Sequence, residues 1–156
     1  MGKELVRGEM MQYIAMNESH VAAVAALEKI CFSAPWSENS VRSELKNPLS
    51  CWIVAVCDGV VAGYVGSQTV GQESDMMNLA VSPEFRGQGI GRELVNALVS
   101  RLGENGASSL TLEVRASNTA AIGLYEQCGF LTVGRRPGYY RMPKEDALIM
   151  RKEWDV

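Results

Sequence analysis

Apolar residues recur along the chain at two spacings, one typical of helices and the other of strands. Helical spacing predicts helices over residues 18–32 and about 118–128, and a long helix over about 90–102 in which apolar residues repeat every four positions. Ser37 can cap a further short helix that ends before Pro48, because its hydroxyl can accept a bond from the first turn. Four helices are therefore expected.

The strand-like segments are apolar runs rich in β-branched residues, or runs that alternate apolar and polar positions. They are residues 11–15, 51–57, 60–66, 76–81, 109–115, 130–135 and 147–152. Asp58-Gly59 joins two of them and is a strong hairpin signal. The last two flank a segment rich in Pro, Gly and Tyr that predicts a loop. The element order favours an α/β (α+β) fold: a mixed, mostly antiparallel sheet flanked by helices, in one domain over residues 1–156.

Length and composition narrow the class of protein. The chain has 156 residues, which fits one domain with its own core. It is 47% hydrophobic and 21% charged with a net charge of −3, so no overall basic field favours nucleic acid as a partner. No apolar run approaches the roughly 20 residues of a membrane helix, and the charged N-terminus does not resemble a signal peptide.

The cysteines and the single histidine argue against a metal site. Cys31, Cys51, Cys57 and Cys128 form no CxxC pair, and His20 is the only histidine, so a zinc site with several histidines is excluded. Four reduced thiols are typical of a cytoplasmic protein. We therefore expect a cytoplasmic location and no metal.

A glycine-rich segment precedes the long helix. In residues 86–92, Arg-Gly-Gln-Gly-Ile-Gly-Arg, alternate glycines allow a tight turn and close approach of a ligand. The unpaired N–H groups and the dipole of a helix N-terminus favour an anion such as a pyrophosphate. The Gly-Lys-Ser/Thr of a P-loop is absent, and GxGxG five residues after a strand departs from the dinucleotide fingerprint.

A carboxylate, an amide and a phenol follow in the next strand and helix. Glu113 lies on a strand whose opposite face is apolar. Asn118 and Tyr125 are seven residues apart, which places them on one helix face about 10.5 Å apart along the axis. Such a stripe can follow an elongated ligand, although Tyr125 could equally be a core residue.

These segments resemble the GNAT acetyltransferase superfamily. Residues 78–92, Asn-Leu-Ala-Val-Ser-Pro-Glu-Phe-Arg-Gly-Gln-Gly-Ile-Gly-Arg, are similar to its acetyl-CoA motif, and Leu-Glu-Val-Arg-Ala-Ser-Asn at 112–118 is similar to its N-terminal acetyltransferase branch. The segments 120–126, 129–130, 139–140 and 145–150 also resemble that branch. The resemblance implies a GNAT fold and acetyl-CoA as cosubstrate. It implies, as acceptor, the α-amine of a protein N-terminus, such as the N-terminal alanine of a small-subunit ribosomal protein.

The resemblance also assigns site residues. Glu113 is implied as general base and Tyr125 as general acid. Backbone groups of β-strand residues are implied to pair with the pantetheine arm, N–H groups of the glycine-rich segment to hold the pyrophosphate, and Asn118 to bond the cofactor arm. The implied cofactor-binding residues are Leu79, Ala80, Val81, Gly87, Gln88, Gly89, Ile90, Gly91, Arg92 and Asn118.

Aromatic residues are implied on both sides of the acceptor's path. Phe32 and Trp36 lie on one predicted loop, and Tyr139 and Tyr140 on another. Rings of this kind can cover peptide side chains while phenols bond the peptide backbone. Their alternative role is ordinary packing beneath loops.

A phenol with an ordinary pKa near 10 is a weaker acid than a thiol near 8.5, so Tyr125 either has a lowered pKa or mainly donates a hydrogen bond to the departing sulfur.

The prediction of direct transfer to an N-terminal amine has three alternatives. A covalent route through Cys128 lacks a neighbouring histidine to activate the thiol. The acceptor could also be a small-molecule amine or a lysine, or the chain could be a non-catalytic acetyl-CoA-binding module.

Overall fold

The computed structural model of the protein describes residues 11–154, which form seven strands and four α-helices. The strands are β1 (Gln12–Ala15), β2 (Ser50–Cys57), β3 (Val60–Val70), β4 (Glu73–Val81), β5 (Ser109–Arg115), β6 (Leu131–Arg141) and β7 (Lys144–Glu153). The helices are α1 (Glu18–Cys31), α2 (Glu38–Glu44), α3 (Ile90–Glu104) and α4 (Thr119–Gln127), with a 3₁₀ turn at Pro83–Phe85.

One mixed sheet joins all seven strands in the order β1-β2-β3-β4-β5-β7-β6. Every neighbouring pair is antiparallel except β4 and β5, which are parallel. The mixed, mostly antiparallel sheet flanked by helices is therefore confirmed.

Two local features predicted from the sequence are also present. At the predicted hairpin, Asp58 and Gly59 both have positive φ. Ser37 caps α2 by accepting the Ser40 N–H at 3.0 Å.

The prediction was wrong for the segment between the last two strands. A loop was expected from its Pro, Gly and Tyr content, but β6 continues to Arg141 and β7 starts at Lys144. The register shifts between Arg136 and Tyr140, so the segment forms a bulge within the pair. Asp146 holds this bulge by accepting the Gly138 N–H at 2.8 Å. Pro137 and Gly138, whose residue types predicted a loop, lie within this bulge instead.

Two apolar clusters cover the two faces of the sheet. One packs α3 and α4 against residues such as Ile53, Val65 and Leu112, and the other packs α1 and α2 against Trp52, Val54 and other inward-facing residues. The alternation of β5 places Leu110, Leu112 and Val114 in the α3/α4 cluster. Glu113 therefore points to the α1 face of the sheet.

Strand β4 carries a bulge and then separates from β5. Gly66 pairs with Asn78 but Ser67 pairs with Met76, so Met77 is the extra residue. The β4–β5 pairing covers only Glu73 to Asp75, and the strands part beyond it. The edge of β4 from Met76 onward consequently faces an opening in the sheet.

A buried carboxylate ties α1 to this part of the sheet. Glu28 is fully buried and accepts hydrogen bonds from the Trp36 N–H at 2.9 Å, the Asn78 amide at 2.8 Å and the Tyr64 hydroxyl. Burial raises the pKa of Tyr64, and its bond to Glu28 raises it further, so the phenol stays a donor. Helix α1, the 32–37 loop, β3 and β4 are thereby held together at one carboxylate.

Removing this carboxylate should destabilise the fold markedly. Glu28→Ala leaves three donors without their acceptor, at about 1–3 kcal/mol for each group that water cannot reach. We expect a loss of about 3–5 kcal/mol of unfolding free energy, measured by urea denaturation. Glu18→Ala is the control, because Glu18 is mostly exposed and pairs with Arg42 at the surface. Equal unfolding midpoints for both variants would contradict the role assigned to Glu28.

Candidate active site

Two clefts meet where β4 separates from β5, one on each face of the sheet. A groove of about 620 Å3 runs between β4, the glycine-rich turn and α4 on the α3/α4 side. A second cleft of about 610 Å3 opens toward the α1 side. Leu79 lines both, so a ligand in the groove can reach the second cleft through the opening in the sheet.

The groove contains most of the predicted cofactor-binding residues. Those that line it are Leu79, Ala80, Val81, Gly87, Gly89, Ile90, Gly91 and Arg92. Because β4 has no β5 partner at Leu79–Val81, its free edge can accept an added strand-like ligand. The pantetheine arm that the sequence resemblance implies carries two amides, which are groups that such an edge can pair with. One of the carbonyls, that of Val81, already accepts the Arg86 Nε at 3.0 Å.

The glycine-rich turn has the backbone that its sequence predicts. Gly87 and Gly89 have φ values of 78° and 80°, and Gly89 is the N-cap of α3. The following N–H groups belong to the first helical turn and lack intrahelical acceptors. Gly91 serves packing, since a Cβ there would lie 3.0 Å from the Leu124 side chain. The turn can therefore hold a pyrophosphate through backbone N–H groups.

Two predicted cofactor residues are not among those that line the groove. Gln88 does not line the groove, and its side-chain Oε1 is buried without a hydrogen-bond partner among the described residues. Asn118 lines the second cleft and caps α4 by accepting the Ala121 N–H at 3.1 Å. The contribution that we expect from Gln88 is therefore its backbone N–H in the turn, and the amide nitrogen of Asn118 has no partner among the described residues.

The second cleft contains both predicted catalytic side chains. Glu113 is 30% exposed, and its carboxylate lies 3.8 Å from the Arg136 Nε. It is the only carboxylate among the described residues that line this cleft. A proton acceptor at this position would therefore have no competitor within the cleft.

Tyr125 lines the same cleft as Glu113 and belongs to α4. The ring is only 7% exposed, and its hydroxyl is 3.8 Å from the Met76 Sδ, a weak acceptor. Burial raises the pKa of Tyr125 above its ordinary value. Of the two roles left open by the sequence, hydrogen-bond donation by a neutral phenol is the one this environment favours.

The four predicted aromatic residues all line this cleft, which has an aromatic wall from each of two segments. Phe32 and Trp36 come from the segment after α1, and Tyr139 and Tyr140 come from β6. The two tyrosines lie on the bulged part of β6 with their rings edge to face at 5.0 Å. Trp36 packs edge-on against Trp52, so it serves both the wall and the core.

Arg115 fixes the tyrosine wall. Its guanidinium donates to the carbonyls of Pro143 and Met142, pairs with Glu145 at 3.2 Å and lies 4.3 Å from the centre of the Tyr140 ring. Hydrogen bonds from Ser117, with help from Arg115, hold the pKa of Glu145 below its ordinary value. The wall is thus braced before any ligand arrives.

The environment of Cys128 is unlike that of an activated nucleophile. Cys128 is buried and does not line either cleft. Burial raises the pKa of its thiol, and the nearby cations Lys152 and Arg92 offset this only in part. The thiol therefore remains protonated near neutral pH.

Sequence reasoning missed two polar residues beside the cleft. Asn78 lines the cleft and donates to Glu28, and Glu28 in turn accepts the Trp36 N–H. Asn78 opens a motif but carries no side-chain signal of its own, and a single glutamate on a helix is usually a solvent-facing residue. No local pattern could have identified either one.

Within residues 11–154 we find no group of His, Cys, Asp or Glu residues arranged to hold a metal ion. None of the helices there is long and apolar enough to cross a membrane. All four cysteines are free thiols.

Residues 21–130 match the Acetyltransferase (GNAT) family. The chain is 41% identical over 128 residues to a Bacillus subtilis (strain 168) protein provisionally named ribosomal protein bS18-alanine N-acetyltransferase, spanning 81% of this chain and 85% of that one. It is 35% identical over 138 residues to the Escherichia coli (strain K12) ribosomal protein bS18-alanine N-acetyltransferase, spanning 87% of this chain and 93% of that protein.

Solved structures show the same architecture. The crystal structure of the ribosomal-protein-S18-alanine N-acetyltransferase from Escherichia coli matches with a TM-score of 0.86 at 33% identity, over 94% of this chain and 96% of that chain. The spermidine N-acetyltransferase from Vibrio cholerae matches with a TM-score of 0.80 at 17% identity, over 92% and 94% respectively. Enzymes named for different acceptors thus share this fold, so the fold alone does not identify the acceptor.

The glycine-rich turn allows a test that separates strain from binding. Gly89→Ala places a Cβ on a residue with φ of 80°, and Gly106→Ala does the same at 94° beyond the other end of α3. Each should lose about 1–2 kcal/mol of stability because an L-residue is strained there. Only Gly89→Ala should bind acetyl-CoA several-fold more weakly by calorimetry, because only that strain disturbs the N–H groups of the turn. Unchanged affinity in Gly89→Ala would refute this use of the turn.

Proposed function

The chain belongs to the GNAT acetyltransferase family, and on that premise we propose that it acetylates the N-terminal α-amine of a protein, in particular the N-terminal alanine of a small-subunit ribosomal protein. Acetyl-CoA is the acyl donor of this family. The chain would act as one catalytic domain. The names of its Bacillus and Escherichia relatives support this acceptor. Ribosomal proteins are made in the cytoplasm, where we propose that the enzyme acts.

One observation carries the proposal: the cleft on the α1 side is lined by four aromatic side chains and a single carboxylate, and it meets the groove at Leu79. Phe32 and Trp36 line it from the segment after α1, Tyr139 and Tyr140 line it from β6, and Glu113 lines it from β5. An extended chain end fits such a cleft, because rings cover its side chains while phenols bond its backbone. Only the terminal amine then reaches the opening between the strands.

Charge in the cleft disfavours a polyamine. A polyamine carries several positive charges, and its binding sites gain from several carboxylates. The described residues that line the cleft include one carboxylate, Glu113, and one guanidinium, that of Arg115, with Arg136 also paired to Glu113. A peptide with a single terminal amine matches this balance better.

Glu113 has the position of a general base. An N-terminal amine has a pKa of about 7.7–8.0, so at pH 7 most of it is ammonium and cannot attack. Glu113 accepts that proton, directly or through a water molecule, as the amine approaches. Bound acetyl-CoA supplies the thioester carbonyl that the amine attacks.

The remaining groups stabilise charge as the C–S bond of the thioester breaks. A backbone N–H on the free edge of β4 near Val81 donates to the oxygen that gains negative charge. Tyr125 keeps its proton and donates a hydrogen bond to the departing sulfur, which takes up the second proton that the attacking nitrogen releases. Amine and thioester must be bound together for these contacts to form, so transfer is direct, and the protonated thiol of Cys128 takes no part.

Replacing the base should make the rate depend more steeply on pH. Glu113→Gln should lower kcat at pH 7 by about 10²-fold or more. Raising the pH to 9 should recover up to about tenfold of that loss, because the amine then deprotonates unaided. Binding of acetyl-CoA should stay the same. Glu126→Gln is the control, because Glu126 is exposed on α4 and does not line the cleft. A Glu113→Gln enzyme with wild-type kcat at pH 7 would exclude the role.

The acceptor preference can be measured directly. Peptides that begin with alanine should have a higher kcat/KM than spermidine, free lysine or peptides with only an internal lysine. Tyr139→Ala should raise KM for the peptide several-fold and leave KM for acetyl-CoA unchanged, because the ring touches only the acceptor side. Preferential turnover of spermidine, together with an unchanged KM for the peptide in Tyr139→Ala, would assign the enzyme to small-molecule acceptors instead.

A further inference from the structure

Asn78 lies on the acceptor side of the sheet because of the bulge in β4. Met76 and Leu79 pack in the α3/α4 cluster, so Met77 and Asn78 between them both turn toward α1. Glu113 points to this same face from β5. Asn78 and Glu113 therefore flank the opening between the two strands on one face, and both line the second cleft, where the acceptor is proposed to bind.

The buried carboxylate of Glu28 determines which end of the Asn78 amide faces a ligand. A carboxylate only accepts hydrogen bonds, so the Asn78 Nδ2 must point to Glu28, at 2.8 Å. The amide oxygen is then the polar atom left over, and no described residue donates to it. The other amide in the cleft differs, since the Asn118 oxygen already accepts the Ala121 N–H.

We infer that the Asn78 Oδ1 accepts a hydrogen bond from the acceptor's terminal ammonium group and holds it opposite Glu113. This inference rests on the proposed function, since it requires an acceptor amine in the cleft. A neutral amide oxygen binds an ammonium without competing for its proton, so the proton remains available to Glu113. Glu28 acts through Asn78 as a positioning residue.

The test compares two peptides that differ only in the amine. One begins with alanine, and in the other a propionyl group replaces that alanine, which removes the α-amine alone. Calorimetry in the presence of CoA gives the Kd of each for the wild type, Asn78→Ala and Tyr64→Phe. Tyr64→Phe is the matched control, because the Tyr64 hydroxyl donates to the same Glu28 oxygen as Asn78 but lies outside the cleft.

Asn78→Ala should weaken the amino peptide about tenfold or more and leave the propionyl peptide unchanged, as expected for a lost hydrogen bond to a charged group. Tyr64→Phe should leave the ratio of the two Kd values at its wild-type value. Equal weakening of both peptides by Asn78→Ala would overturn the inference, because Asn78 would then act only through the packing of Glu28. If Asn78→Ala does not fold, Asn78→Ser is judged by the same ratio.

Failure of the proposed function gives a different result. A wild-type enzyme that binds both peptides equally, or neither, has no site for a peptide amine, and this would overturn the proposed function together with the inference. A wild type that prefers the amino peptide, combined with an unchanged ratio in Asn78→Ala, would overturn the inference alone.

Discussion

The early end of the pairing between β4 and β5 is the constraint on which the rest of the site depends. Three residue pairs, ending at Asp75 and Thr111, join the only parallel neighbours in the sheet. Beyond them the free backbone edge of β4 faces one groove, and the gap leads through the sheet to a second cleft. A continuous sheet would have satisfied that edge and closed the path between the clefts. The opening thus provides unpaired backbone groups and a passage at the same point.

The buried Glu28 connects the edge of this opening to the residues that line the second cleft. Its carboxylate binds the first residues after α1 through the Trp36 N–H, and the bulged strand through Asn78. A buried carboxylate with three donors is costly to disturb, so its partners have little freedom to move. One wall of the cleft and the edge of the opening are therefore fixed by the same group.

The two sides of the proposed site differ in the groups that they present. The groove presents the free edge of β4 and the N–H groups of the glycine-rich turn, whose placement depends on φ and ψ more than on residue type. On the acceptor side, individual side chains such as Glu113, Tyr139 and Asn78 line the cleft. Side chains of this kind can differ between proteins of one fold, and the fold is indeed shared by enzymes named for different acceptors.

The sequence by itself determined the elements and the chemistry that depends on local pattern. The alternation in 109–115, the Asp58-Gly59 turn and the glycines before α3 act over a few residues, so their structure follows from neighbours in the chain. Tertiary structure decided the rest. The bond between Glu28 and Asn78 joins residues 50 positions apart, and the bulge in β6 forms only because β7 pairs with it. Contacts of this kind leave no periodic signal, because each depends on how distant segments pack.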